Sequence, residues 1–209
     1  MKMIDCLIST GKSGVARMAL DYCKIVGMPC GGWTNEDYIL DDGCLADKYQ
    51  RILLPVKKQS AIEKNVIDAD ATIIFAYYHG DLIGDELLTM RHCIRHKKDL
   101  FVFELSDDID VMRRQVGPAA EFLLAAHVEV LNVVGSAESD FHGKLRKIAG
   151  TALEGVLASA FLYLQEHPEL QPNPNRFAEK SWKDWHANDF ADARCCPKRN
   201  GGFWSRLFG

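Results

Sequence analysis

Short apolar runs of strand length alternate with segments of helical spacing along most of this chain, and that alternation is what most restricts its fold. Ile4 to Ser9 is a brief apolar run that closes on a glycine-rich turn, as a buried strand does. Val15, Met18, Ala19, Tyr22, Cys23 and Val26 then share one helical face, with Gly27 as a C-terminal cap and Pro29 as a stop. Met28 to Trp33 reads as a second strand. Residues 34–51 form a polar, irregular excursion with Asp41-Asp42-Gly43 as a turn signal, and Ile52-Leu53-Leu54-Pro55 is at most a brief strand. Ser60-Ala61-Ile62-Glu63 has capping-box spacing and opens a helix towards Asp68. Ala71 to Tyr78 is a β-branched and aromatic strand. Ile83 to Lys97 returns to helical spacing, and Leu100 to Leu105 is again a strand. Asp108 to His127 is helical but interrupted or split by Gly117-Pro118. Val128 to Val134 is the last strand, and a long helix follows from about Glu138 to His167.

Strand and helix in strict succession predict an α/β domain: an open, mainly parallel sheet with helices on both faces and right-handed crossovers. We place this domain at residues 1–167. Residues 168–209 differ in composition, with four prolines and scattered aromatics, and read as a loop-rich tail that packs on the domain or on a neighbouring subunit. Its apolar segment Gly202-Phe203-Trp204-Ser205-Arg206-Leu207-Phe208 suits docking, so a homo-oligomer is expected.

A net charge of -4 argues against a nucleic-acid binder that works by bulk electrostatics. The first apolar run is too short for a signal-peptide core, and the nearest membrane-like stretch, Val156 to Leu164, is about half a span. The chain is therefore expected in the cytoplasm, without membrane or nucleic-acid partners. Its 7 cysteines form no Cys-x-x-Cys pair, and scattered spacing suits reduced thiols.

The segment Thr10-Gly11-Lys12-Ser13-Gly14 sits between the first strand and a helix N-terminus, where ligands of open α/β sheets collect. Glycines allow close backbone approach, free N–H groups favour anions, and Lys12 and Arg17 add charge. The alternative is a tight turn that needs flexible residues. The segment is not a P-loop, because the first glycine of that motif would fall on Cys6, and the full dinucleotide fingerprint is missing as well.

Four blocks follow one another in the chain: Ser9 to Asp21, Gly27-Met28-Pro29-Cys30-Gly31-Gly32-Trp33, Asn65 to Thr72 followed by Gly84 to Thr89, and Leu131-Asn132-Val133-Val134-Gly135-Ser136-Ala137-Glu138-Ser139. Together they resemble the putative molybdenum carrier family, a circularly permuted branch of the Rossmann-like superfamily that includes the Lonely Guy-type phosphoribohydrolases. The resemblance spans roughly residues 4–165. It implies a Rossmann-like fold and a cleft for a small phosphate-bearing ligand, such as the molybdenum cofactor (molybdopterin) or a nucleotide. By position, Thr10, Gly11, Lys12, Ser13, Gly14, Arg17, Gly32, Trp33, Gly84, Asp85, Asn132, Gly135, Ser136, Glu138 and Ser139 would line it.

This chain departs from the family pattern at three points. The family's Gly-Gly-Gln-Thr becomes Ser9-Thr10-Gly11-Lys12-Ser13 here, which shifts or lengthens the turn. An Asp that precedes the family's Arg is Ala16 here, and a Gly-Gly-Thr becomes Gly84-Asp85-Glu86. Two acids then stand where open backbone would meet phosphate, and like charge repels unless a cation or Lys12 offsets it. Three functions follow. The first is a carrier or sensor that holds its ligand without transforming it. The second is a phosphoribohydrolase using Glu86 or Asp85 as acid, although the Pro-Gly-Gly-x-Gly-Thr-x-x-Glu motif of those enzymes is missing. The third is an interaction protein whose site has decayed.

Other constellations are less specific. Arg91, His92, Arg95, His96 and Lys98 make one helix surface basic, as a solvated face or an acidic-partner contact. His92 and His96 have the i, i+4 spacing of metal ligands, but no third ligand is evident in sequence and no metal is expected. Glu104 ends a strand at the ligand-facing edge, as an ion-pair partner or a ribose contact. Tyr77-Tyr78-His79 and Asp81 suit either loop packing or stacking on a pterin or base.

Overall fold

The computed structural model describes residues 4–35, 39–40, 43–44, 49, 53–56, 58–77, 81–138, 144–167 and 169. In chain order these give β1 (Cys6–Ile8), α1 (Val15–Val26), β2 (Cys30–Asn35), β3 (Ile39–Leu40), β4 (Gly43–Cys44), β5 (Leu53–Val56), α2 (Lys58–Asp68), β6 (Ala71–Ala76), α3 (Gly84–His96), β7 (Asp99–Glu104), α4 (Ile109–Ala125), β8 (Val130–Gly135) and α5 (Lys144–Glu166). Six strands form one parallel sheet in the order β5-β2-β1-β8-β6-β7, with Leu7 opposite both Cys30 and Leu131. The chain is a Rossmann-like α/β fold, as the alternation predicts. The excursion 34–51 is not wholly irregular, because β3 and β4 pair antiparallel within it. The tail beyond 167, apart from Glu169, lies outside the described residues.

The central strands show no polar alternation because both of their faces are covered. Leu7, Ile73, Phe75, Phe103, Leu131 and Val133 point to one side, where they join α1, α4 and α5 in the main core. The intervening residues Cys6, Ile8, Ile74, Val130 and Val134 face α2 and α3 in two smaller clusters. Buried polar groups mix with this second layer: Asn65, Thr72, Glu86, Thr89 and Asn132 are all nearly inaccessible.

Two local expectations need correction. Gly117-Pro118 neither interrupts nor splits its helix, since α4 runs continuously through Pro118. The ring lies on the exposed side, where water can satisfy the Arg114 carbonyl that proline leaves unbonded. Asp108 caps this helix by accepting a hydrogen bond from the Asp110 amide at 2.9 Å. The apolar stretch around Val156 to Leu164 belongs to α5, whose 23 residues are long and apolar enough to cross a membrane by composition. Its buried residues Leu145, Ala149, Ala152, Leu153, Val156, Leu157, Ala160 and Leu164 recur at core-facing helical spacing and pack on α1 and α4. It is a core helix.

Candidate functional site

From β1 the chain moves outward through β2 to one edge of the sheet, whereas β8 and β6 lie on β1's other side. The carboxyl ends of β1 and β8 therefore sit side by side where the strand order reverses, which is where such sheets bind ligands. A cleft of about 360 Å³ opens there. Thr10, Lys12, Ser13 and Ala16 form one wall, Val134, Gly135, Ser136 and Ala137 a second, and Ile83, Gly84, Asp85 and Glu86 a third.

The first two walls interlock through backbone. The Val15 amide donates to the Ser136 carbonyl at 3.2 Å. Gly14 has φ +72°, and a Cβ there would lie 2.3 Å from that carbonyl oxygen. A Cβ on Gly135 would stand 2.1 Å from the Phe75 carbonyl oxygen, so β8 needs glycine where it passes β6.

Charge inside the cleft is paired. Lys12 Nζ lies 2.5 Å from Asp85 Oδ2, across the cleft, and both side chains are partly open to solvent. Glu86 is only 2% exposed. Its Oε1 accepts the Ser136 hydroxyl at 2.7 Å, and its Oε2 accepts the Ile83 amide at 3.4 Å. The Ser136 hydroxyl in turn accepts the Tyr77 amide at 3.1 Å. Burial pushes the Glu86 carboxyl above the ordinary carboxylate range, and the Asp85 charge adds to this against the two hydrogen bonds. Ser13 Oγ is buried and has no hydrogen-bond partner among the described residues.

The structure thus brings Thr10, Lys12, Ser13, Gly84, Asp85, Gly135 and Ser136 together, while Gly11 and Gly14 shape the same loop. It places the others elsewhere. Arg17 turns beneath the loop, donating from Nε to the Gly11 carbonyl at 2.7 Å, with its guanidinium 4.8 Å from the centre of the Tyr49 ring. It braces the turn. Gly32 packs under Ser9 on β2. Trp33 is engaged by α2, donating from Nε1 to Asp68 at 2.6 Å and exchanging backbone hydrogen bonds with the Asn65 amide. Asn132 lies within the sheet, where it donates to Thr72 Oγ1 at 3.2 Å, and Glu138 faces Arg146 at 3.7 Å. Ser139, Tyr78 and His79 lie outside the described residues. Tyr77 donates its hydroxyl to Asp107.

Sequence reasoning did not pick out Ala16, Ile83, Val134 or Ala137 as lining residues. Ala16, Val134 and Ala137 lie inside the four blocks and Ile83 just outside them, but as apolar side chains they carry no sign of lining a cleft until the three walls are assembled.

Residues 7–157 match a family model described as the circularly permutated YpsA SLOG family. Among solved structures, the chain is similar to that of a putative molybdenum carrier protein from Syntrophus aciditrophicus SB. The TM-score is 0.64 at 26% identity, over 74% of this chain and 96% of that one. No curated protein matches it significantly.

Proposed function

Because the chain belongs to the circularly permutated YpsA SLOG family, we propose that its cleft holds a phosphate-bearing pterin or nucleotide-like ligand, as a carrier or sensor rather than a catalyst. The observation that carries this reading is the Lys12 wall. A cation on a glycine-rich loop at a helix N-terminus stands beside a buried hydroxyl, Ser13, that has no partner among the described residues. The Lys12–Asp85 pair is partly exposed, so exchanging Asp85 for a phosphate costs little.

These residues fit the phosphate end of molybdopterin: Lys12 would supply charge, and Thr10, Ser13 and the loop amides would donate. Among the described residues that line the cleft there is no cysteine or histidine, so in this reading any molybdenum would be held by the ligand itself. The buried Cys6, Cys23, Cys30 and Cys93 are thiols outside any disulfide, which agrees with a cytoplasmic setting.

Calorimetry with molybdopterin and a panel of nucleoside monophosphates tests the reading. One of them is expected to bind wild-type protein without turnover, and Lys12→Ala to weaken it about tenfold or more, the worth of a hydrogen bond to a charged group. Failure of every member of the panel to bind would leave the interaction-protein reading. A second reading rests on Glu86, whose burial favours the protonated form a general acid needs. It predicts release of base from nucleoside monophosphates, abolished in Glu86→Gln.

A further inference from the structure

On the side of the sheet covered by α2 and α3, the two helices pack against each other. His92 and His96 project from the same face of α3, one turn apart, with their rings 22° from parallel and 6.3 Å between centroids. Glu63 reaches them from α2. Its Oε1 lies 2.7 Å from His96 Nε2 and 3.6 Å from His92 Nδ1, and one ligand atom from each residue falls within a 4.8 Å group. A third donor group that the sequence did not disclose thus stands beside the two imidazoles, supplied by a neighbouring helix.

We propose that Glu63, His92 and His96 form a binding site for a divalent transition-metal ion, with Zn²⁺ as its best-fitting occupant. Two imidazoles and a carboxylate are the donor set that suits zinc among common ions, and calcium or magnesium would demand more oxygen. Zinc–ligand bonds of about 2.0–2.1 Å place tetrahedral donors roughly 3.3 Å apart, between the 2.7 and 3.6 Å separations to Glu63, so small side-chain shifts would admit the ion. The three side chains are 13–29% exposed, leaving the outer side open for a water or small anion as fourth ligand. Arg95 Nη1 lies 3.5 Å from the same carboxylate oxygen and competes for it, but its side chain is 71% exposed and can turn into solvent cheaply. A bound ion would clip α2 to α3, the helix whose first turn forms the acidic wall of the cleft. This site and the cleft are separate, and neither proposal depends on the other.

The test uses full-length, chelator-treated protein at constant pH, titrated with ZnCl₂ by calorimetry and followed by thermal melting. Wild-type protein is expected to bind one Zn²⁺ that Glu63→Gln and the double variant His92→Gln/His96→Gln do not, and to melt higher with zinc. Loss of a ligand should weaken binding by more than the roughly 10–100-fold that an outer-shell partner is worth. Arg95→Ala should tighten it, which guards against a result caused only by misfolding. Substituting Co²⁺ should give visible ligand-field bands without a thiolate charge-transfer band, separating this site from the chain's cysteines. No zinc binding by wild-type protein, or equal stoichiometry and melting shift in the double variant, would overturn the assignment.

Discussion

Two helices begin at the cleft, and they begin in opposite ways. The α1 entrance is Gly11-Lys12-Ser13-Gly14, with no acid in the first helical turn and a buried serine hydroxyl that has no partner among the described residues. The α3 entrance is Ile83-Gly84-Asp85-Glu86, whose two acids lie in the first turn and complement the helix dipole themselves. One N-terminus has no acid of its own and the other is filled from within. In the proposed reading an anion-binding end thus faces a self-satisfied end, joined to it by one ion pair.

The glycines of the two entrances break that comparison most forcefully. Gly14 and Gly84 both have positive φ, but a Cβ on Gly14 would strike the Ser136 carbonyl, whereas one on Gly84 meets nothing within 4 Å. Gly14→Ala therefore combines backbone strain with a steric clash that must push β8's loop away, and should cost about 3 kcal/mol or more. Gly84→Ala carries the conformational cost alone, about 1–2 kcal/mol. Equilibrium urea unfolding of the two variants measures both. Equal losses would mean that the two walls of the cleft are not locked as described.

Glu86 gives the next effect, in its pH dependence. Burial raises its carboxyl above the usual 4.5, so the folded protein holds that proton more tightly than the unfolded chain does. Its contribution to stability is therefore fully present below about pH 4.5 and is lost as pH rises through the folded-state pKa. Glu86→Gln, neutral at every pH, removes that slope. The stability of wild-type protein minus that of the variant should fall with rising pH from about 4.5 upward. A flat difference would show that the hydrogen bonds from Ser136 and Ile83 fully offset desolvation, and that the self-filled end carries no electrostatic cost.

The fold was largely legible because its signals are local. Strand-length runs such as Ala71 to Ala76 and helical stripes such as Val15 to Val26 carry their periodicity in consecutive residues, and proline misled at Pro118, whose exposed position sequence cannot show. The cleft was legible as a neighbourhood. Position after β1 located Thr10, Lys12 and Ser13, but strand-end position does not give side-chain direction. Arg17 therefore turned out to brace its loop, Trp33 to pack on α2, and Asn132 to sit inside the sheet. The histidines show the same limit: the spacing of His92 and His96 is visible in sequence, whereas Glu63 joins them only through the packing of α2 on α3.

The smallest effect concerns the bond that spans the two entrances. Lys12 and Asp85 are a quarter and more than a third exposed, so water screens their attraction and a double-mutant cycle on stability should return less than about 1 kcal/mol, shrinking with salt. The same pair should matter more for ligand. Asp85 would repel an incoming phosphate, and it occupies the lysine that would receive one in the proposed reading. Asp85→Asn should then tighten binding of whichever phosphate compound the calorimetric panel identifies, while Lys12→Ala loosens it, and the double variant should show that the gain needs Lys12. If Asp85→Asn weakened binding instead, the acid would be contacting the ligand directly, and the α3 entrance would be a working part of the site rather than a closed end opposite it.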